Sequence, residues 1–339
     1  MASISKLKAF VLSVGLTVAS ILVCLLVSET YLTIRYNQER ALMESRVIGK
    51  ELCTMASNYP ELIYTFIPNK CGTNAHGFRD YEHSYSKPKG VSRVVIIGDS
   101  VALGQRMDLR DIFGKVLERK LNLSAKGGGK ERKVEVIVLA NSGYSTSQEL
   151  FLLKHEAFRY SPDLIIWSYV LNDPAHPVFH NANGELGRYY FKPAFHTANY
   201  VSRKLFEINE QRKAANCGEE YHALLHCVYW GQIASNIREI GNISEKQGVP
   251  IIFLIHPILE EDSSFDNYSL APVHTKLGAA AADAGLPVLD LLKAYRSHNP
   301  WDLTLTSEHG FDPWHPNEEG HRIAADALVK FISEGNYLH

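Results

Sequence analysis

The chain has 339 residues, 45% hydrophobic and 21% charged, values that exclude a disordered or collagen-like polypeptide. Thirty-five Lys and Arg against thirty-seven Asp and Glu leave a net charge of -2. No basic excess attracts phosphate backbones, so no nucleic-acid partner is expected.

In chain order, the first feature is Ala9–Val27, an uncharged, mostly apolar run preceded by Lys6 and Lys8. As a helix it is about 28 Å long, close to the hydrocarbon thickness of a bilayer. A cleaved signal peptide and a buried core helix are the competing readings. Val27-Ser28-Glu29-Thr30 is a poor small-x-small cleavage site, and Val23 is bulkier than the residue expected before a lipidated Cys24. Residues 1–30 therefore read as an uncleaved single-pass anchor in the lipid bilayer. Lysines before the run and mixed charges after it (Glu29, Arg35, Glu39, Arg40) favour a cytoplasmic N-terminus and an exported, periplasmic body.

Outside the anchor stand four cysteines: Cys53, Cys71, Cys217 and Cys227. An even number in an exported body suits disulfides, and the short spacings propose Cys53–Cys71 and Cys217–Cys227. Four buried free thiols are the alternative. No Cys-x-x-Cys spacing points to zinc or redox chemistry.

Residues 31–90 read as a stalk and lead-in without clear alternation. From Val91, short apolar runs alternate with amphipathic stretches. The runs Val94–Ile97, Val134–Leu139, Leu164–Val170, Pro250–Ile255 and Pro287–Leu289 suit parallel strands buried on both faces. Helices are expected near Ile112–Leu121, Ser147–Phe158, Trp230–Lys246, His274–Ala284 and Glu318–Ile332, with Thr146 and Glu149 as a capping box. This alternation predicts an α/β domain with a doubly wound parallel sheet over residues 91–335. Residues 175–228 break the rhythm and read as an insertion, a cap near the ligand end of the sheet.

Ser100, in Gly98-Asp99-Ser100, ends the first long strand, where parallel sheets bind ligands. A helix cap is the plainer reading of that serine. Near the C-terminus, Asp312-Pro313-Trp314-His315 places a carboxylate three residues before an imidazole. Within one local turn the carboxylate can accept from Nδ1–H, leaving the other nitrogen free to take a serine proton. The plainer reading is a polar turn opening the last helix at Pro316 or Asn317. Gly143 follows the second strand and Asn172 the third. Their N–H groups, with that of Ser100, could form an oxyanion hole, although each alone reads as turn chemistry.

Taken together, these blocks resemble the SGNH hydrolases, or GDSL esterase/lipase family: Ser100, Gly143, Asn172, and Asp312 with His315. Asn74-Ala75-His76-Gly77-Phe78-Arg79-Asp80 is similar to the lead-in of membrane-anchored bacterial members. The resemblance implies a flavodoxin-like three-layer α/β/α fold and serine-dependent ester chemistry with no metal and no cofactor. Ser100 would be the nucleophile, His315 the base and Asp312 its orienter. The substrate would be an acyl ester on a glycan or lipid. The alternative is an O-acyltransferase that moves the acyl group to a sugar hydroxyl with a membrane acyltransferase partner. Val170 departs from the family pattern, which has glycine two residues before the Asn. An α/β-hydrolase elbow, Gly-x-Ser-x-Gly, is absent. So is His-Glu-x-x-His, which leaves His176, His180 and His256 as ordinary surface or core residues.

Overall fold

The structure is a computed structural model describing residues 2–47, 53–127, 133–174, 190–191, 193–260, 264–307 and 310–338. Contacts divide it into two units, one of residues 1–52 with 191–212, the other of residues 53–190 with 213–339.

In the smaller unit, helix α1 spans Ala2–Val47. Every residue from Leu7 to Val27 is exposed, and the helix is long and apolar enough to cross a membrane. The helix continues well past the apolar run because neither Gly nor Pro interrupts Leu16–Val47. The expected irregular stalk is therefore helical as far as Val47.

The larger unit opens with a hairpin of β1 (Thr54–Ala56) and β2 (Tyr64–Phe66). Then come β3 (Val91–Gly98), α2 (Ser100–Leu103), α3 (Phe113–Gly127), β4 (Lys133–Ala140), α4 (Thr146–His155) and β5 (Leu164–Val170). Helix α5 (His196–Ala214) falls almost wholly in the smaller unit. The rest is α6 (Tyr221–Gln247), β6 (Ile251–His256), α7 (Ala271–Asp283), β7 (Val288–Asp290), the hairpin β8 (Thr304–Ser307) and β9 (Gly310–Pro316), and α8 (Glu318–Glu334).

Strands β4-β3-β5-β6-β7 form one parallel sheet in that order, the flavodoxin-like 2-1-3-4-5 sequence. Alternate residues of β3 are buried on opposite faces. Val94 and Ile96 join the core under α3 and α8, while Val95 and Ile97 are equally buried on the other side. Near-continuous β-branched runs follow from that double burial.

Two local readings need correction. The capping box of α4 is Ser145 with Gln148, whose Oε1 accepts from Ser145 N at 2.9 Å, so the register lies one residue earlier than Thr146 and Glu149. Helix α6 begins at Tyr221, ahead of the expected Trp230, because Glu220 caps it by accepting from His222 N and Ala223 N. Both proposed disulfides, Cys53–Cys71 and Cys217–Cys227, are present. His176, His180 and most of the first third of the 175–228 segment lie outside the described residues.

The lead-in from Cys53 to Gly90 packs as a brace. Asp80, fully buried, pairs with buried Lys115 on α3 and accepts from Val138 N of β4 at 2.8 Å. Arg93 of β3 donates to the carbonyls of Tyr85 and Tyr160. Removing one partner of a buried ion pair strands the other charge. Asp80→Ala should therefore destabilise the larger unit by about 3–5 kcal/mol. Urea unfolding of the detergent-solubilised chain measures this, and an unchanged midpoint would refute the brace.

Candidate active site

Strand β3 must turn abruptly into α2, and Gly98 makes this possible. A Cβ there would lie 2.8 Å from Ala102 Cβ and 2.9 Å from Ser168 O, so no side chain fits. Asp99 caps α2, its Oδ1 accepting from Val101 N at 2.9 Å, and Ser100 begins the helix, 6% exposed. Arg79 of the lead-in donates to the carbonyls of Leu103, Gly104 and Met107. These bonds fix the far side of the same turn.

Asp312 and His315 lie on β9, not in the simple turn expected from the sequence. In a regular strand, residues three apart face opposite sides. Here Thr304 pairs with Pro316 and Thr306 with Phe311, so the bulged β9 carries extra residues at 312–315. The bulge turns both side chains the same way. Asp312 Oδ1 holds it by accepting from Trp314 N at 3.0 Å, and Thr304 Oγ1 donates to Asp312 O. Asn317 then caps α8, accepting from Glu319 N and Gly320 N. The C-terminal motif is thus both a helix start and a site.

These pieces meet in one hydrogen-bonded chain. Ser100 Oγ is 3.0 Å from His315 Nε2, and His315 Nδ1 is 2.9 Å from Asp312 Oδ2. Because ionised Asp312 can only accept, Nδ1 carries the proton and Nε2 is bare toward the serine. Arg106 was not foreseen. It adopts a left-handed backbone (φ 65°) and places Nη2 3.2 Å from Asp312 Oδ2. Nothing local in Gly104-Gln105-Arg106 announces that contact.

A second serine–histidine pair exists. Ser168 Oγ and His256 Nε2 are 2.9 Å apart in the neighbouring strands β5 and β6. His256 Nδ1 has no partner, and burial pushes its imidazole down to about 3, so this pair is a neutral core contact. His274 meets Asp290 at 2.8 Å with no serine in the pair. Among the described residues, only Ser100–His315–Asp312 joins all three groups. No three or more of the described His, Cys, Asp and Glu residues cluster as metal ligands.

Gly143 and Asn172 flank Ser100 by topology. Gly98 pairs with Ala140 of β4 and Ser168 of β5, and the two residues follow those strands within a few positions. Gly143 needs its positive φ of 72°. Its loop is pinned by Tyr64 OH, which donates to Ser142 O at 2.8 Å, and by Ser142 Oγ, which donates to Gln105 at 2.7 Å. Asn172 is half-buried in the turn after β5, its Oδ1 buried without a partner. Asp173 locks that turn by accepting from Val170 N at 2.7 Å. The Val170 side chain is accommodated in the core.

The model of the GDSL-like lipase/acylhydrolase family matches residues 96–323, about two-thirds of the chain. This chain belongs to that family. No curated protein matches it in sequence. Among solved structures, an alpha/beta hydrolase from the metagenome of Lake Arreo, Spain, is 16% identical and aligns over 74% of this chain and 97% of its own, with a TM-score of 0.46. An acetylxylan esterase from Geobacillus stearothermophilus is 14% identical over 71% and 94%, TM-score 0.45. A lipase/acylhydrolase from Enterococcus faecalis is 18% identical over 72% and 96%, TM-score 0.41.

Near Ser100 in this GDSL-like enzyme lie three fully buried carboxyls. Burial raises Asp99, against the lowering effect of Val101 N–H and His315. Burial lifts Glu149 well above the carboxylate range, against a 2.7 Å bond from Trp167 Nε1. Burial, with the charges of Glu149 and Asp99, does the same to Asp173. Glu149 Oε1 and Asp173 Oδ1 have no partners. Ser100 Oγ also lies 3.2 Å from Asp99 Oδ2.

Each raised carboxyl binds its proton more tightly folded than unfolded. The associated stability is full below the unfolded value of about pH 4 and is lost as pH rises through the folded values. Glu149→Gln should therefore flatten the decline in stability between about pH 5 and pH 8. Parallel urea midpoints across that range test this, and a decline as steep as the parent's would count against a protonated Glu149.

Proposed function

We propose that this protein is a membrane-anchored serine esterase whose body lies on the extracytoplasmic side, with Ser100, His315 and Asp312 as its catalytic residues. The observation that carries the reading is the continuous hydrogen-bonded chain from Ser100 Oγ through His315 to Asp312. Its substrates are acyl esters, acetyl included, on a glycan or lipid. The exported side is supported by the lysines ahead of the apolar run and by the two disulfides, which persist in oxidising compartments.

Ser100 Oγ attacks the acyl carbonyl as His315 Nε2 takes its proton. The tetrahedral oxyanion draws on the N–H groups of Ser100 and Gly143 and on the Asn172 amide. His315 returns the proton to the leaving alcohol, giving a Ser100 ester. Water, deprotonated by the same nitrogen, then releases the acid and restores the serine. Asp312 stabilises the imidazolium in both steps. Arg106 fixes the carboxylate from outside the chain of three.

Ser100→Ala and His315→Ala should each lower turnover by roughly four to six orders of magnitude. Asn172→Ala, which leaves two donors, should cost about 10²–10³-fold. A fluorophosphonate should label Ser100, and Ser168→Ala should leave labelling intact. Activity surviving in folded Ser100→Ala protein, or label on Ser168, would overturn the assignment. Glycan and lipid acetyl esters, assayed for free acid with and without an added sugar acceptor, identify the substrate class. Acyl transfer as the main product would replace hydrolysis.

A further inference from the structure

Helix α5 has none of its residues buried, yet it is firmly attached at one end. Both carboxylate oxygens of Glu29 accept from its first N–H groups, His196 N and Thr197 N, each at 2.8 Å. Ser28 Oγ meets Thr197 Oγ1 at 3.1 Å, and Tyr36 OH donates to Phe191 O at 2.5 Å. Glu29 stands two residues after Val27, the end of the apolar run, which is about 3 Å along a helix. The beginning of α5 is therefore fixed at the level where α1 leaves the hydrocarbon.

From that point α5 presents an apolar stripe. Ala198, Val201, Leu205 and Ile208 follow helical spacing on one side. The three larger side chains are 50%, 62% and 45% exposed. Arg203 and Glu207 occupy the opposite side, paired at 2.9 Å. Phe195 just ahead of the helix and Tyr31 on α1 are also exposed, aromatic residues that favour headgroup depth. The helix holds four cations against two carboxylates, with Lys204 and Arg212 bordering the apolar side.

We propose that α5 is an interfacial helix that lies on the lipid surface beside the anchor, its Val201–Leu205–Ile208 stripe in the acyl–headgroup boundary and the half-buried Arg203–Glu207 side away from lipid. The inference rests on α1 crossing the membrane. The lipid occupant follows from continuity, since the Glu29 cap places the first turn of α5 at the membrane exit. The bordering cations suit an anionic leaflet.

The test uses the full chain carrying Cys24→Ser, reconstituted in phosphatidylcholine–phosphatidylglycerol vesicles. Single cysteines at Val201, Leu205, Ile208, Arg203, Glu207 and Leu16 are labelled with an environment-sensitive fluorophore. Emission from the stripe positions should shift to the blue and be quenched by lipids spin-labelled near the headgroup, while labels at Arg203 and Glu207 escape that quenching. The Leu16 position should be quenched by lipids labelled deep in the chain, and failure there would overturn the membrane-spanning reading itself. With Leu16 quenched, water-like stripe positions would refute the interfacial helix. Blue-shifted but lipid-unquenched stripe positions would also refute it, assigning the face to a protein contact. Leu205→Glu should return Val201 and Ile208 labels to water-like emission while leaving the Leu16 signal unchanged, and persistent quenching there would count against the proposed face.

Discussion

The site depends on a single steric limit at the end of β3. Ala102 and the Ser168 backbone approach Gly98 so closely that a Cβ cannot be placed. This lets the chain leave the central strand and enter α2 within two residues. Ser100 thus reaches the open end of the sheet while the β3 backbone remains buried. The flanking strands in the β4-β3-β5 order then deliver Gly143 and Asn172 to either side without further design. A larger residue at 98 would push α2 off the sheet and separate Ser100 from His315.

The lead-in completes what the sheet alone leaves loose. Arg79 holds the carbonyls behind α2, Asp80 links α3 to β4, and Tyr64 pins the Ser142–Gly143 loop. All three bond to backbone groups and so fix main-chain positions, Asp80 adding its pair with the Lys115 side chain. Asn74 shapes the turn that places Arg79, its Oδ1 accepting from His76 N and Phe78 N. A segment that looks like a tether in the sequence is an integral wall of the catalytic unit.

Hydrogen-bond partners separate His315 from the other buried histidines. His256 and His321 are buried, with values pushed down to about 3. Each is confined to hydrogen bonding as a neutral ring. His315 differs in having Asp312 on one nitrogen and Ser100 on the other. Behind the serine, Asp99, Glu149 and Asp173 crowd acidic groups in a space too dry for three charges.

Much was legible in order along the chain. The β-branched runs of β3, β4 and β5 marked a sheet buried on both faces, and the apolar run from Ala9 marked α1. Ser100, Gly143, Asn172 and the Asp312–His315 pair stood at strand ends or in a short motif, where local spacing limits geometry. The cysteine spacings matched the two bonds that form. What escaped the sequence depends on residues far apart in it. The Asp312–His315 geometry comes from a bulge set by pairing with β8, the Arg106 contact from a left-handed turn, and the carboxyl cluster from the ends of β3 and β5 meeting helix α4. The Glu29 cap on α5 spans 167 positions, and no local periodicity reports it. Sequence by itself determined the residue types and the strand ends that hold them. Tertiary structure decided which serine meets which histidine, because Ser100 and Ser168 differ only in what the folded chain places around them.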